Sequence, residues 1–134
     1  MSSLPTLIKL IDKKLEQIQV IVAQKEQELQ QLDATEKSLN QQVEAAHKAA
    51  QKHSTPADYR DVEAFSRKTV EDVKKLHARR AQVKDDKEKL LEVIRQLFSE
   101  KKRYEVLQEQ QEKAAKLKKA RKEQATLEDL TNRK

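Results

Sequence analysis

The chain has 134 residues, 39% of them charged, 36% hydrophobic and 3% aromatic, with no Gly, two Pro and a formal net charge of +6. One domain fits that length, and the apolar content is too low for a globular core of ordinary thickness. Ala, Leu, Glu, Lys, Gln and Arg dominate, so long helices are favoured over a disordered chain.

From Leu4, alternating steps of four and three reach Leu4, Ile8, Ile11, Leu15, Ile18, Val22, Lys25, Leu29, Leu32, Glu36, Leu39, Val43, Ala46 and Ala50. Only Lys25 and Glu36 interrupt the apolar run. Apolar residues repeating every 3.5 positions form a narrow seam that a lone helix would expose, so a second helix must cover it. The first helix is expected over about residues 4–52.

A turn is expected at about 53–56. Thr55 and Asp58 have the spacing of a capping box, with Pro56 at the first helical position. The second helix is then expected over about 57–130. Its column of Val62, Thr69, Leu76, Val83, Leu90, Leu97 and Tyr104 is flanked first by Phe65, then Val73, then Ile94, a drift that predicts a winding or locally irregular stripe. The fold class is therefore all-α: an antiparallel two-helix coiled-coil hairpin with a C-terminal single-helix extension. A single domain spans 1–134, and over 80% helix in a monomer is expected.

Folding back about Thr55 places opposite each other residues whose numbers sum to roughly 110, an estimate from helical rise. Leu4 to Val22, with Leu7, Leu10, Val20 and Ile21, should then meet Lys89 to Leu107, with Leu91, Val93, Phe98 and Leu107, in a broad apolar end. At the turn end Tyr59, Val62 and Phe65 face the small Ala45, Ala46, Ala49 and Ala50. They either fill that space or keep surface available to a partner. From about Gln108 onward the second helix has no counterpart, and a lone polar helix is frayed or ordered by a partner.

Bases and acids balance up to Lys52, so the net charge resides in the second helix and tail. Lys113, Lys116, Lys118, Lys119, Arg121 and Lys122 form a basic tract. Acids lie on both sides and no aromatic is present for base stacking, which weighs against nucleic acid and favours an acidic protein surface over it; a solvated helical face is the plainer reading.

No catalytic constellation is visible. There is no Cys and no Gly-rich phosphate loop, and Asp85-Asp86 and Glu128-Asp129 are adjacent pairs that point to different helix faces. His47, His53 and His77 form no i, i+4 pair, so no metal site is expected. The expectation is a non-enzyme without cofactors. Lys9, Asp12, Lys13, Lys14 and Glu16 interrupt any signal-peptide core, and no stretch approaches the ~18 apolar residues of a membrane span. A cytoplasmic protein is expected.

Four stretches carry a family likeness: LPTLIKLIDKKLEQIQVIVAQKEQELQQL, QKHSTPADYRDVEAF, KKRYEVLQEQQEK and KEQATLEDLTNRK. With them the chain resembles, nearly end to end, the FliJ family of flagellar export proteins and the related SctO (YscO) stalk proteins of type III secretion systems. The most distinctive piece is the ending, where Leu127, Glu128 and Asp129 precede a basic terminus. The resemblance implies a central stalk and escort component of a flagellar or type III export apparatus, peripheral at the cytoplasmic face of the inner membrane. Its implied partners are the hexameric export ATPase, the cytoplasmic domain of the export gate and export chaperones. Carried onto this sequence, it implies ATPase-ring contacts at Lys13, Lys14, Tyr104, Lys116, Lys119, Arg121 and Lys122, and export-gate contacts at Tyr59, Val62, Phe65 and Thr69. Two other readings stand beside it: a generic coiled-coil scaffold, and a basic helical hairpin that binds nucleic acid.

Overall fold

Thr55 and Asp58 cap one another. The Thr55 N–H donates to Asp58 Oδ2 (3.0 Å), and the Asp58 N–H donates to Thr55 Oγ1 (3.3 Å). The exchange gives the Thr55 amide a side-chain acceptor, the Asp58 amide is shared between the Thr55 hydroxyl and the Thr55 carbonyl (3.0 Å), and Pro56 beside it has no N–H to satisfy. At the other start, the Ser3 carbonyl accepts from the amides of Thr6 (3.0 Å) and Leu7 (3.2 Å). Pro5 falls in that first turn, where its missing N–H costs no helical bond.

The computed structural model describes residues 3–52 and 55–133. They form α1, Leu4–Lys52, of 49 residues, and α2, Pro56–Asn132, of 77 residues. This is the all-α antiparallel hairpin expected from the periodicity. His53 and Ser54, on which half of the expected turn falls, lie outside the described residues. No helix among the described residues is long and apolar enough to cross a membrane.

The chain divides into two compact units, one of Ile18–Glu92 and one of Met1–Gln17 with Val93–Lys134. In the Ile18–Glu92 unit, Ile18, Val22, Lys25, Leu29, Leu32 and Glu36, and onward to Ala50, are all buried or half-buried. The facing stripe of α2 is regular: Val62, Ser66, Thr69, Val73, Leu76 and Arg80, then Val83, Lys87 and Leu90, are likewise buried or half-buried. Val83 has no exposed surface. The expected drift is therefore corrected. The 3.5-residue period is kept, and Ser66, Arg80 and Lys87 occupy seam positions that look like gaps when only apolar residues are counted. Ser66 takes the place expected of Phe65, which stands at the edge of the seam. Asp33 with Arg80 and Glu26 with Lys87 both sum to 113, close to the expected register.

In the other unit Ile11 and Leu15 are buried, facing a stripe of Ile94, Leu97, Lys101, Tyr104 and Gln108 that is half-buried throughout. Lys101 Nζ reaches Asp12 Oδ1 at 2.7 Å, and this hydrogen bond holds the amine above its ordinary pKa. The broad apolar end does not form. Leu10 is 52% exposed, and Phe98 and Leu107 also face solvent. Two helices share one seam, and a side chain off that seam has no opposing wall. The same holds for Val20 and Ile21 in the Ile18–Glu92 unit. Beyond Gln108 every described residue of α2 is exposed, so residues 109–132 are a helix without a covering partner among the described residues.

Candidate functional site

Three features distinguish themselves from an ordinary solvated helix pair. The first lies in the Ile18–Glu92 unit, where α1 supplies mainly acids and α2 mainly bases. Arg79 Nε donates to Glu28 Oε1 at 2.7 Å, and Arg80 Nη2 donates to Glu36 Oε2 at 2.7 Å and also to Asp33. His77 Nε2 lies 2.8 Å from Glu36 Oε1, Lys87 pairs with Glu26, and Lys25 Nζ lies 3.8 Å from Asp86. Both seam interruptions, Lys25 and Glu36, are thus met by charges of opposite sign. The hydrogen bond from His77, followed by that from Arg80, holds the Glu36 carboxyl below the usual carboxylate range. The Arg79 guanidinium does the same for Glu28, and is itself held above its ordinary value by that carboxylate. Arg80 Nε is buried with no hydrogen-bond partner, so this layer is bought with incomplete satisfaction. Reading the residues one helix at a time missed this cluster. The signal was present, because a register sum near 110 carries Glu36 to the neighbourhood of His77 and Lys25 to that of Asp86.

The second feature is the face beside the turn. Tyr59 is 50% exposed and Phe65 36%, while Ala50 is buried, so neither ring is used up in filling the space beside the alanines. Val62 is half-buried. Thr69 is 4% exposed, and its Oγ1 donates to the Phe65 carbonyl at 2.9 Å. Of the four expected gate-contact residues, Tyr59 and Phe65 present surface, Val62 presents part of its own, and Thr69 supports the face from within the seam.

The third feature is the uncovered helix 109–132. Lys116, Lys119, Arg121 and Lys122 lie on it fully in solvent, as do Lys113 and Lys118. At ~100° per residue these six bases point to all sides of the helix and not to one face. Lys13 and Lys14 are exposed on α1. Tyr104 is half-buried, and its hydroxyl donates to Glu100 Oε1 at 3.2 Å, which makes it a seam residue with an exposed rim. The expected ring-contact residues therefore separate into an exposed basic group and one seam tyrosine.

Among the described residues no group of three or more His, Cys, Asp or Glu side chains converges to hold a metal ion. His77 is engaged by Glu36, and His47 lies in solvent; His53 is outside the described residues. Comparison of the chain with family models, with curated proteins and with solved structures finds no match in any of the three.

Proposed function

We propose that this chain is a stalk and escort component of a flagellar or type III protein export apparatus, which binds and activates the hexameric export ATPase and links it to the export gate and its chaperones. The observation that carries this reading is the bare helix 109–132 with basic side chains on all sides, continuing from a pairing of helices only one seam deep. A central component gripped by a ring has to be narrow, and two packed helices are about 20 Å across. It also has to be held without being locked. Exposed ion pairs suit that, being individually worth only about 0 to 1 kcal/mol and readily exchanged. The likeness of LPTLIKLIDKKLEQIQV and KKRYEVLQEQQEK to the FliJ family adds the identity of the ring.

In this reading the end bearing the tail enters the ring, where Lys116, Lys119, Arg121 and Lys122 meet acidic loops, with Lys13, Lys14 and Tyr104 nearby in the chain's pairing scheme. Tyr59, Val62 and Phe65 are left for the export gate. The protein acts at the cytoplasmic face of the membrane as a peripheral component and catalyses nothing itself. Mixing the purified chain with the export ATPase of the same organism tests the proposal: hexamers should form and hydrolysis should rise. Deleting the chain from Lys116 onward should abolish the stimulation, whereas a neutral loop in place of residues 53–58 should leave it unchanged. Full activation by the tail-deleted chain would reverse the polarity, and no activation by the intact chain would return the protein to a generic scaffold.

A further inference from the structure

The uncovered helix carries a pattern that its basic charge does not explain. Lys113, Leu117, Ala120, Gln124, Leu127 and Thr131 follow one another in steps of four and three. At ~100° per residue they fall within an arc of about 80°, the width of a coiled-coil seam. Leu117 is 54% exposed and Leu127 61%, so both leucines of the seam stand in solvent. This arc is not the stripe of Ile94, Leu97, Lys101, Tyr104 and Gln108 that α1 faces in the same unit; carried on in its own steps, that stripe would run through Gln111, Ala115, Lys118 and Lys122. The tail has changed face.

The spacing of the new seam is the same in both directions. Leu117 and Leu127, Ala120 and Gln124, and Lys113 and Thr131 are placed symmetrically about Lys122, so a second copy laid antiparallel on the first sets each member against its mirror partner. Leucine then meets leucine, and the alanine makes room for the glutamine. Every position in this pairing lies beyond Gln108, the last residue of α2 that is half-buried, so it displaces none of the existing packing. Charge agrees with the direction. Lys113 to Lys122 contains six bases and no acid, and Glu123 to Asp129 contains three acids and no base. Antiparallel overlap lays each basic half on the other copy's acidic half, and parallel overlap sets like on like. Along the flanks Arg121 comes beside Glu128, and Lys116 beside Glu123, each twice by symmetry. This is the flank-to-flank contact that already joins Glu28 to Arg79 inside the Ile18–Glu92 unit.

We infer that the helix 109–132 is a self-association surface, which pairs antiparallel with the same segment of a second copy through Leu117 and Leu127. The inference rests on the tail's own residues and goes beyond the stalk reading. Both use the same helix, so a tail paired with a second copy is withheld from any other acidic partner. The association is isologous, and each hairpin remains intact within it.

Sedimentation velocity on the full chain at low ionic strength, over rising protein concentration, tests it. The mass should climb from one chain to two, and added salt should reverse the climb. Leu117→Glu with Leu127→Glu should hold the chain at one copy while circular dichroism keeps the hairpin's helicity. Arg121→Glu should weaken the dimer, and adding Glu128→Arg in the same chain should restore it. Because the chain has no Cys, Ala120→Cys and Gln124→Cys variants can be mixed under mild oxidation; the disulfide should join the two variants in preference to like with like. A single copy at every concentration would overturn the inference. So would a dimer that survives the paired Leu→Glu change, or disulfides that form mainly between identical variants. None of these readouts involves the export ATPase, so failure here leaves the stalk proposal standing, and the reverse also holds.

Discussion

Glu36 of α1 is held from two sides by α2: Arg80 Nη2 donates to it at 2.7 Å and His77 Nε2 lies 2.8 Å away. Glu36 and Arg80 occupy seam positions in their respective helices and are half-buried, so loss of one leaves the other's charge in the seam with a single remaining partner, His77 for Glu36 or Asp33 for Arg80. The pair therefore does for register what apolar residues cannot, since a seam of leucine and valine packs almost as well after a slip of one heptad. Removing one partner should destabilise the hairpin, as Glu36→Leu or Arg80→Leu alone leaves the opposite charge in the seam. Glu36→Leu with Arg80→Leu should raise the melting temperature above that of either single variant and of the native chain. It should also broaden the distances between spin labels on α1 and α2, which double electron–electron resonance would read as more than one register.

The acid limb of stability should depend on the same residues. Hydrogen bonds from His77 and Arg80 depress the Glu36 carboxyl, and that from Arg79 depresses Glu28. Through the carboxylate range the unfolded chain thus binds more protons than the folded one. The contribution is complete above the ordinary carboxylate pKa and disappears as pH falls through the depressed folded values. Melting temperature followed by circular dichroism should drop on acidification below about pH 5. Glu28→Gln with Glu36→Gln should start from a lower neutral value and fall less. Lys101, raised by Asp12, works with the opposite sign: its contribution is present below the ordinary lysine range and is lost as pH rises through the raised folded value.

Val83 and Val20 should respond very differently to the same truncation. Val83 has no exposed surface, and Val20 is 58% exposed off the seam. Val83→Ala should cost about 2 kcal/mol in urea unfolding, from lost burial and the cavity left behind. Val20→Ala should stay within about 0.5 kcal/mol. Equal losses would mean that Val20 is covered in solution, by a partner or by a second copy.

On the proposed stalk function, Phe65→Ala should weaken binding to the cytoplasmic domain of the export gate while helicity and ATPase activation stay near their native levels, because the ring stands at the seam's edge and Ser66 occupies the seam position. Thr69 offers the contrast. Its hydroxyl is spent on the Phe65 carbonyl and its side chain is buried, so Thr69→Val should leave gate binding intact. Calorimetry with the isolated gate domain distinguishes the two, and loss of helicity in step with binding for Phe65→Ala would make that ring a structural residue.

On the same proposed function, reversing charge at Lys119, Arg121 and Lys122 together should weaken the proposed complex with the export ATPase and flatten its dependence on salt. Contacts of this kind fade once the Debye length falls below about 8 Å. Affinity measured across an ionic-strength series would show it. An unchanged slope would remove these three side chains from the contact.

Much of the hairpin follows from period and end signals alone. The seam of α1 from Leu4 to Ala50, the Thr55–Asp58 cap, the helix limits and the bare tail beyond Gln108 all depend on local spacing, which a single chain states directly. For Tyr59 and Phe65 spacing left two readings open, filling the space beside the alanines or keeping surface available, and the structure leaves both rings exposed. Tertiary structure decided the rest. Whether Leu10, Phe98 or Leu107 is buried depends on a wall opposite, and two helices provide only one. Ser66, Arg80, Lys87 and Lys101 sit in the stripe of α2 because position, not polarity, determines what a partner helix covers. A charge at a seam position reads as a break until its counter-charge is known, and that counter-charge lies some forty to ninety residues away along the chain. Register brings the two together, as with Glu36 and Arg80 or Asp12 and Lys101.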